Sequence, residues 1–589
     1  MKYKLRENFS KDPETALEEI LKNRGVNDIE NFMYPTAKCE LNAYDLDNIE
    51  NAANMLLVHL RKNSNILFIV DCDQDGVSSS AILWLYIKRI FPQARLSFTM
   101  HEHKQHGLDD KIDWIEQQDF NLAIVPDAGS YDVEEHQRLN SLGIDCIVLD
   151  HHDQLYDENG NPITSAASRT IVVNNQLSSK YTNKTLCGAG VVYKFCEVLD
   201  DILGIHQAQE FLDLAALGEI ADVMDRTNTE TNYIITEGLK CIENKGFRTL
   251  IEAQAFSLKE KAIWPYKNLN AIDIAFYIAP LINALMRVGT MQEKETMFYC
   301  FIEPDRIVPS TKRGAKAGDT ETAAEQTARV GKNAKARQDK IKEKALDIID
   351  FKIQKNALDE NNIIIVEINP DDDIPQEITG LIAMAIVSKY NKPCLIVRRN
   401  DDDLLQGSAR NNGNFSALPS LKQYEEDSGF FEYVAGHDNA HGLGIKASKV
   451  DGFIKYMNET LPKDAFENCY LVDYILDARE DNQELMFTLA KHPEYFGNHI
   501  DEIKIVIEHI SLGNIMKMGA NKDSIKINYN GIDYVRFKDL DFIFDIDNNR
   551  LDELVVYGRI NINEWQGHRS LQVFIDDYEL RNDEHKYDF

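Results

Sequence analysis

The chain has 589 residues, 43% of them hydrophobic and 27% charged, enough for several buried cores. No apolar run approaches the length of a membrane span, and the start, MKYKLRENFSKDPE, is charged at once without an apolar signal region; a membrane protein and an exported one are therefore not expected, and a cytoplasmic location is. The net charge of -33 argues on average against a nucleic-acid partner, and nine cysteines without a C-x-x-C pair read as buried thiols rather than disulfides or a zinc site.

Residues 50 to about 225 alternate short apolar strands (65–70, 95–100, 121–125, 145–149 and 170–174) with helical stretches. This rhythm predicts an α/β fold with a mostly parallel sheet. Residues 206 to 300 read as mainly helical. Residues 310 to 344 then reverse the overall charge, with ten Lys/Arg against five Asp/Glu. From about Glu321 to Lys355 that segment reads as one long helix, a solvated face or a positive seam. A second α/β unit begins at 361–369. After about residue 465 apolar and polar residues alternate, as in half-buried strands.

Carboxylates gather where the first strands end. NILFIV runs into Asp71, Asp73 and Asp75; NLAIV is followed by Asp127; CIVL is followed by Asp150, His151 and His152; a helical run ends near Asp222. Buried carboxylates this close repel one another unless something neutralises them. In parallel sheets ligands collect outside the carboxyl ends of the strands. An oxygen-rich set with some imidazole suits Mn²⁺ or Mg²⁺, and the number of acids suits two ions, the arrangement of phosphoryl transfer.

The series DCDQDG, PDAGS, DHH and GEIADVMD resembles the motifs of the DHH phosphoesterases. LCGAGVVYKF (186–195) and PLINALMRVG (280–289) resemble the RecJ exonuclease branch. GSARNNGNFSALPSL (407–421) and VAGHDNAHGLGI (434–445) resemble the DHH-associated domain, and GRININEWQGHRSLQVFIDDYEL (558–580) resembles a C-terminal OB-fold. This chain departs from the family's usual strings at Leu281, Ala435 and His441.

The resemblance implies a parallel-sheet DHH catalytic domain joined by a long helix to a smaller α/β DHH-associated domain, plus a C-terminal OB-like β-barrel. The expected divisions are an N-terminal segment packed on the catalytic domain (1–50), the catalytic domain (51–310), a basic connector helix (311–355), the DHH-associated substrate-binding domain (356–464) and the OB-like nucleic-acid-binding domain (465–589). It implies that Asp71, Asp73 and Asp127 hold one Mn²⁺ or Mg²⁺, and that Asp75, His151 and Asp222 hold a second, with Asp127 bridging. His152 falls beside the scissile phosphate, and Asp150 orients a histidine. Arg287, Ser408, Arg410, Gly436, His437, Lys335, Arg337 and Trp565 are the expected substrate contacts.

The implied activity is a two-metal, 5′-to-3′ exonuclease on single-stranded DNA that releases 5′-mononucleotides in DNA repair, recombination or replication. It would act as a monomer, with a single-strand-binding protein or helicase as protein partner and no membrane. The alternatives are a phosphodiesterase for very short oligonucleotides and a catalytically silent replication scaffold. A silent scaffold usually lacks motif acids, and all are present here. Because the expected metal ligands precede residue 225, the chemistry is expected not to depend on the C-terminal module.

Overall fold

The strand Asn65–Val70 is buried from Ile66 on, and lies second in a five-stranded sheet ordered Arg95–Met100, Asn65–Val70, Leu122–Pro126, Asp145–Asp150, Thr170–Asn174. The last four run parallel, so their carboxyl ends share one edge. Helix Gln74–Ile90 packs with helices Gly188–Leu203 and Leu212–Ala221 and is buried on most of its faces. The computed structural model describes residues 1–581 except 103–104, 157–160, 414, 416, 463–464, 467–468, 520, 550–552 and 566–567. The side chains of His437 and Trp565 also lie outside the described residues.

The chain divides into two compact units. One holds Met1–Thr99, Gly107–Ala279 and the chain from Cys469; the other holds Met100–His106 and Pro280–Asn468. This division falls near residue 280, where the sequence led to a boundary at 310. Helix Met291–Ile302 buries Met297, Phe298 and Phe301 and packs along the long helix Ala323–Lys355, so it belongs with that helix. Thr322 and Glu325 close a capping box at the start of the long helix, which fixes where it begins.

The second unit's sheet is ordered Phe431–His437, Ala440–Lys446, Leu404–Arg410, Cys394–Arg399, Ile364–Glu367; only the last pair is parallel. One core of this unit contains Leu395, Leu443 and Phe453, and another joins Ile349 and Ile353 of the long helix to Ile364 and Ile382. Two of the departures from the family strings are packed here: His441 is buried with Nε2 2.7 Å from Glu425 Oε2, and buried Leu281 sits where a Cβ on Gly331 would come within 3.3 Å.

In the first unit the C-terminal residues form a mixed sheet ordered Tyr474–Asp477, Lys504–Ser511, Glu553–Trp565, His568–Arg581, Ile532–Arg536, Ser524–Tyr529, Ile515–Met518. The N-terminal segment is split. Lys2–Leu5 pairs with Cys469–Val472, and Ala16, Leu17, Ile20, Leu21, Val26 and Phe32 join the core of the C-terminal sheet. Helix Ile29–Met33 and the turns Ala37–Cys39 and Ala43–Asp45 rest on the catalytic helices. The segment 1–50, expected on the catalytic domain, thus divides its contacts between the C-terminal sheet and the catalytic helices. The reason is amphipathicity: helix Ala16–Asn23 has one apolar stripe, and the apolar side chains of the C-terminal sheet bury it.

The stretch Ala271–Val288 is long and apolar enough by composition to cross a membrane, contrary to the expectation that no such run exists. It is half-buried and broken at Ile278 into helices Ala271–Tyr277 and Ala279–Val288.

Candidate metal centre

Asp71 follows the strand Asn65–Val70 directly and is buried. Asp73 caps the next helix, its carboxylate accepting the Gly76 amide at 3.1 Å, and Asp75 lies in that helix's first turn. Asp75 is held from outside as well. Its Oδ2 accepts the Gly188 amide at 2.6 Å and its Oδ1 the Ala189 amide at 3.0 Å, the first two residues of helix Gly188–Leu203. A helix N-terminus supplies orphan amides and a favourable dipole for a carboxylate.

Asp127 follows Leu122–Pro126 with φ 70°, a left-handed conformation uncommon outside glycine. A Cβ at Gly188 would come within 2.5 Å of Asp127 Oδ1, so a glycine is needed for this approach. Asp150 ends its strand, with His151 and His152 after it. Asp222 caps the C-terminus of helix Leu212–Ala221.

These groups converge. Asp71, Asp73 and Asp127 offer ligand atoms all within 4.8 Å of one another, and so do Asp75, His151 and Asp222. His151 Nε2 joins the sets, at 3.2 Å from Asp127 Oδ1, 3.6 Å from Asp222 Oδ2 and 3.9 Å from Asp75 Oδ2. Burial, then the charges of Asp75, Asp73 and Asp71, push the Asp127 carboxyl well above the usual carboxylate range; burial, Asp75 and Asp73 do the same to Asp222. Asp127 Oδ1 and Asp222 Oδ2 are buried oxygens that accept no hydrogen bond among the described residues. Repulsion and orphaned acceptors in one place fit divalent cations, and the carboxylate-rich donor set fits Mn²⁺ or Mg²⁺.

Asp150 behaves differently. Burial alone would raise it, but the adjoining His152 and His151 outweigh burial and hold it well below the usual range. It bonds His152 Nδ1 rather than joining the ligand atoms. Four supporting residues escaped the sequence reading. Gly188 and Ala189 hold Asp75. Ser130 donates its amide to Asp150 Oδ2 at 3.0 Å. Asn174 Nδ2 donates to the His152 carbonyl and Ser130 Oγ, each at 3.0 Å. Asn174 ends a strand, as Asp150 does, so its position was the available signal.

In the second unit Arg287 and Arg410 are close enough that burial, then Arg287's charge, lowers the Arg410 guanidinium below its usual range. Arg410 Nη1 donates to the Ala409 carbonyl at 2.7 Å, and Ser408 Oγ lies 2.9 Å from Thr379 Oγ1, the first residue of helix Thr379–Tyr390. A Cβ at Gly380 would meet Arg410 Nη2 at 2.5 Å, so the guanidinium lies against that helix's first turn. Two guanidinium groups and a helix N-terminus make an anion-attracting locus. Arg337 pairs with Glu293 at 2.9 Å and Lys335 with Asp339, so these cations of the long helix are partly neutralised within the unit. Gly436 adopts φ 130° beside His441, and its carbonyl accepts Lys422 Nζ at 2.8 Å. The backbone of Trp565 ends a long strand opposite His568.

Two family models match the chain: the DHH family N-terminal domain over residues 65–219 and the RecJ OB domain over residues 472–577. A putative SPbeta prophage-derived single-strand DNA-specific exonuclease, YorK, of Bacillus subtilis is 35% identical over 574 residues, covering 96% of this chain and 95% of that protein. The single-stranded-DNA-specific exonuclease RecJ of the same organism is 23% identical, covering 95% of this chain and 67% of that one. Among solved structures, RecJ of Thermus thermophilus in complex with Mn²⁺ has the same fold, with a TM-score of 0.69 at 22% identity over 96% of this chain and 76% of that one. The Mg²⁺ complex gives 0.65, covering 96% of this chain and 74% of that one.

Proposed function

Since the chain belongs to the RecJ family of DHH phosphoesterases, we propose that it is an exonuclease that hydrolyses phosphodiester bonds of single-stranded DNA from the 5′ end, releasing 5′-mononucleotides. The observation that carries this reading is the pair of ligand sets, with Asp127 in one and within reach of His151 in the other. Asp71, Asp73 and Asp127 would hold one Mn²⁺ or Mg²⁺; Asp75, His151 and Asp222 would hold the second, with Asp127 shared. Bound there, the two cations supply activation of water and neutralisation of the charge that builds on the phosphoryl oxygens.

The protein's own groups prepare the site. The Gly188 and Ala189 amides fix Asp75. Asp150 holds the His152 ring by Nδ1, which leaves Nε2 to bond a phosphoryl oxygen. Arg287, Ser408 and Arg410 would bind a phosphate of the strand. Gly436, His437, Lys335, Arg337 and, in the OB module, Trp565 would extend the contact along it. The 5′-to-3′ polarity and the mononucleotide product follow from the family resemblance.

We place the protein in the cytoplasm as a monomer, in DNA repair, recombination or replication, beside a helicase or single-strand-binding protein that supplies and protects an unpaired strand. The test is Asp127→Asn. Asn tolerates the left-handed backbone but gives up the shared carboxylate. The folded variant should lose hydrolysis of single strands; near-normal activity would refute the assignment.

A further inference from the structure

Residues 219–226 carry Asp222 out of its helix, and a segment of the C-terminal domain closes around them. Asn498 Nδ2 donates to the Glu219 carbonyl at 3.0 Å, and the Asn498 carbonyl accepts the Arg226 amide at 3.3 Å. One residue thus brackets both ends of the segment. The Glu219 carbonyl also accepts the Met224 amide at 2.9 Å, which completes the last helical turn around Asp222. Between these bonds Val223 sits at φ 57°, a strained position for a β-branched residue.

Arg226 strengthens the clasp. It is buried, and burial lowers its guanidinium to about 10. Among the described residues its guanidinium has no carboxylate partner within ion-pair distance. Nη1 donates to the carbonyls of Glu494 (3.1 Å) and Phe496 (3.2 Å), while Nε (3.2 Å) and Nη2 (2.9 Å) donate to Asn232 Oδ1. Asn232 Nδ2 in turn donates to the Phe32 carbonyl at 2.9 Å, and the guanidinium lies 5.8 Å from the centre of the Phe32 ring. A buried cation without a carboxylate is costly, so its fixed fork of donors must do something a smaller apolar residue could not.

We propose that Asn498 and Arg226 are positioning residues of the metal centre: they clamp the 219–226 segment so that Asp222 meets Asp75 and His151. The C-terminal domain then completes one ligand set as well as binding strand. This rests on the assignment of Asp222 as a metal ligand. It runs against the expectation that the chemistry is independent of the C-terminal module.

The test uses full-length Asn498→Gly. Asn498 has φ 48°, which glycine adopts without strain, so the variant removes the side-chain donor and keeps the backbone acceptor. Asn498→Asp is the second variant; it keeps the size and also loses the donor. Mn²⁺ binding is followed by electron paramagnetic resonance of the free ion, without DNA, alongside the melting temperature. Loss of groups that orient metal ligands typically weakens metal binding about 10–100-fold, and a shift of that order is expected for one of two ions in whichever variant stays folded. Activity should fall at limiting Mn²⁺ and recover at high Mn²⁺ with the strand KM unchanged, which a loosened fold would not produce. Isotherms that superimpose on wild type would overturn the proposal, as would collapse of both variants at every Mn²⁺ concentration. Because binding is read without substrate, a wild-type protein that binds two ions but degrades no strand would sink the exonuclease reading alone.

Discussion

His152 Nδ1 lies 2.7 Å from Asp150 Oδ1, and the same oxygen accepts the main-chain amides of His151 at 2.7 Å and of His152 at 3.2 Å. One carboxylate oxygen therefore fixes both histidines of the DHH string, one by its backbone and one by backbone and ring. Asp150→Asn keeps the shape and removes the charge. We expect kcat to fall about 10–100-fold with the strand KM little changed, because the ligands stay and the ring loses the charge of its partner. A rise in KM with kcat preserved would place His152 in strand binding instead.

Arg410 should act on substrate rather than on metal. Arg410→Ala is expected to raise the KM for single strands and to lower the dependence of binding on salt, by about 0.7 in log–log slope for each phosphate that the protein no longer neutralises. Mn²⁺ binding should be unchanged. Weakened Mn²⁺ binding would show that this locus does not serve the strand.

The long helix gives a graded case. Arg337 is engaged by Glu293 and Lys335 by Asp339, so these side chains reach a strand only by exchanging partners. Replacing Lys335, Arg337 and Lys340 together with Ala should flatten the salt dependence by less than about 0.7 per residue. An unchanged slope would mark the run as a solvated face.

Stability should depend on Glu40. Burial, then the charge of Glu197, raises its carboxyl to about 7, although it accepts the Tyr193 hydroxyl at 3.0 Å. The folded protein therefore holds a proton that the unfolded chain, at an ordinary 4.5, has released. Between those values the native state binds more protons, so this group's contribution to stability falls as pH rises from about 4.5 to 7 and stays low above that. Glu40→Gln should lose that part of the slope and gain melting temperature at pH 8 relative to pH 5. An identical Tm profile in both proteins would contradict this.

The convergence of acids was legible because Asp71, Asp127 and Asp150 each lie where an apolar run ends, and strand ends in a parallel sheet share an edge. The long helix was legible from its lack of breakers. What stayed hidden is carried by main chain or by distance in sequence. The Gly188 and Ala189 amides bind Asp75 through groups every residue has, so only a small-residue string hinted at them. Asn498 meets Glu219 across 279 positions, and no local pattern announces such a pairing. The split of the N-terminal segment was hidden for the same reason, since the apolar stripe of Ala16–Asn23 does not say which core it joins.

The central claim is a metal-dependent attack on single strands from the 5′ end. The most direct measurement follows label release from a long single strand tagged at its 5′ end, beside a 3′-tagged strand, a duplex and a dinucleotide, with Mn²⁺, Mg²⁺ or EDTA. The account predicts that labelled mononucleotide appears at once from the 5′ tag and late from the 3′ tag. It predicts little release from duplex, a higher kcat/KM for the long strand than for the dinucleotide, and none of this in EDTA. Release that persists in EDTA, starts at the 3′ end or favours the dinucleotide would contradict it.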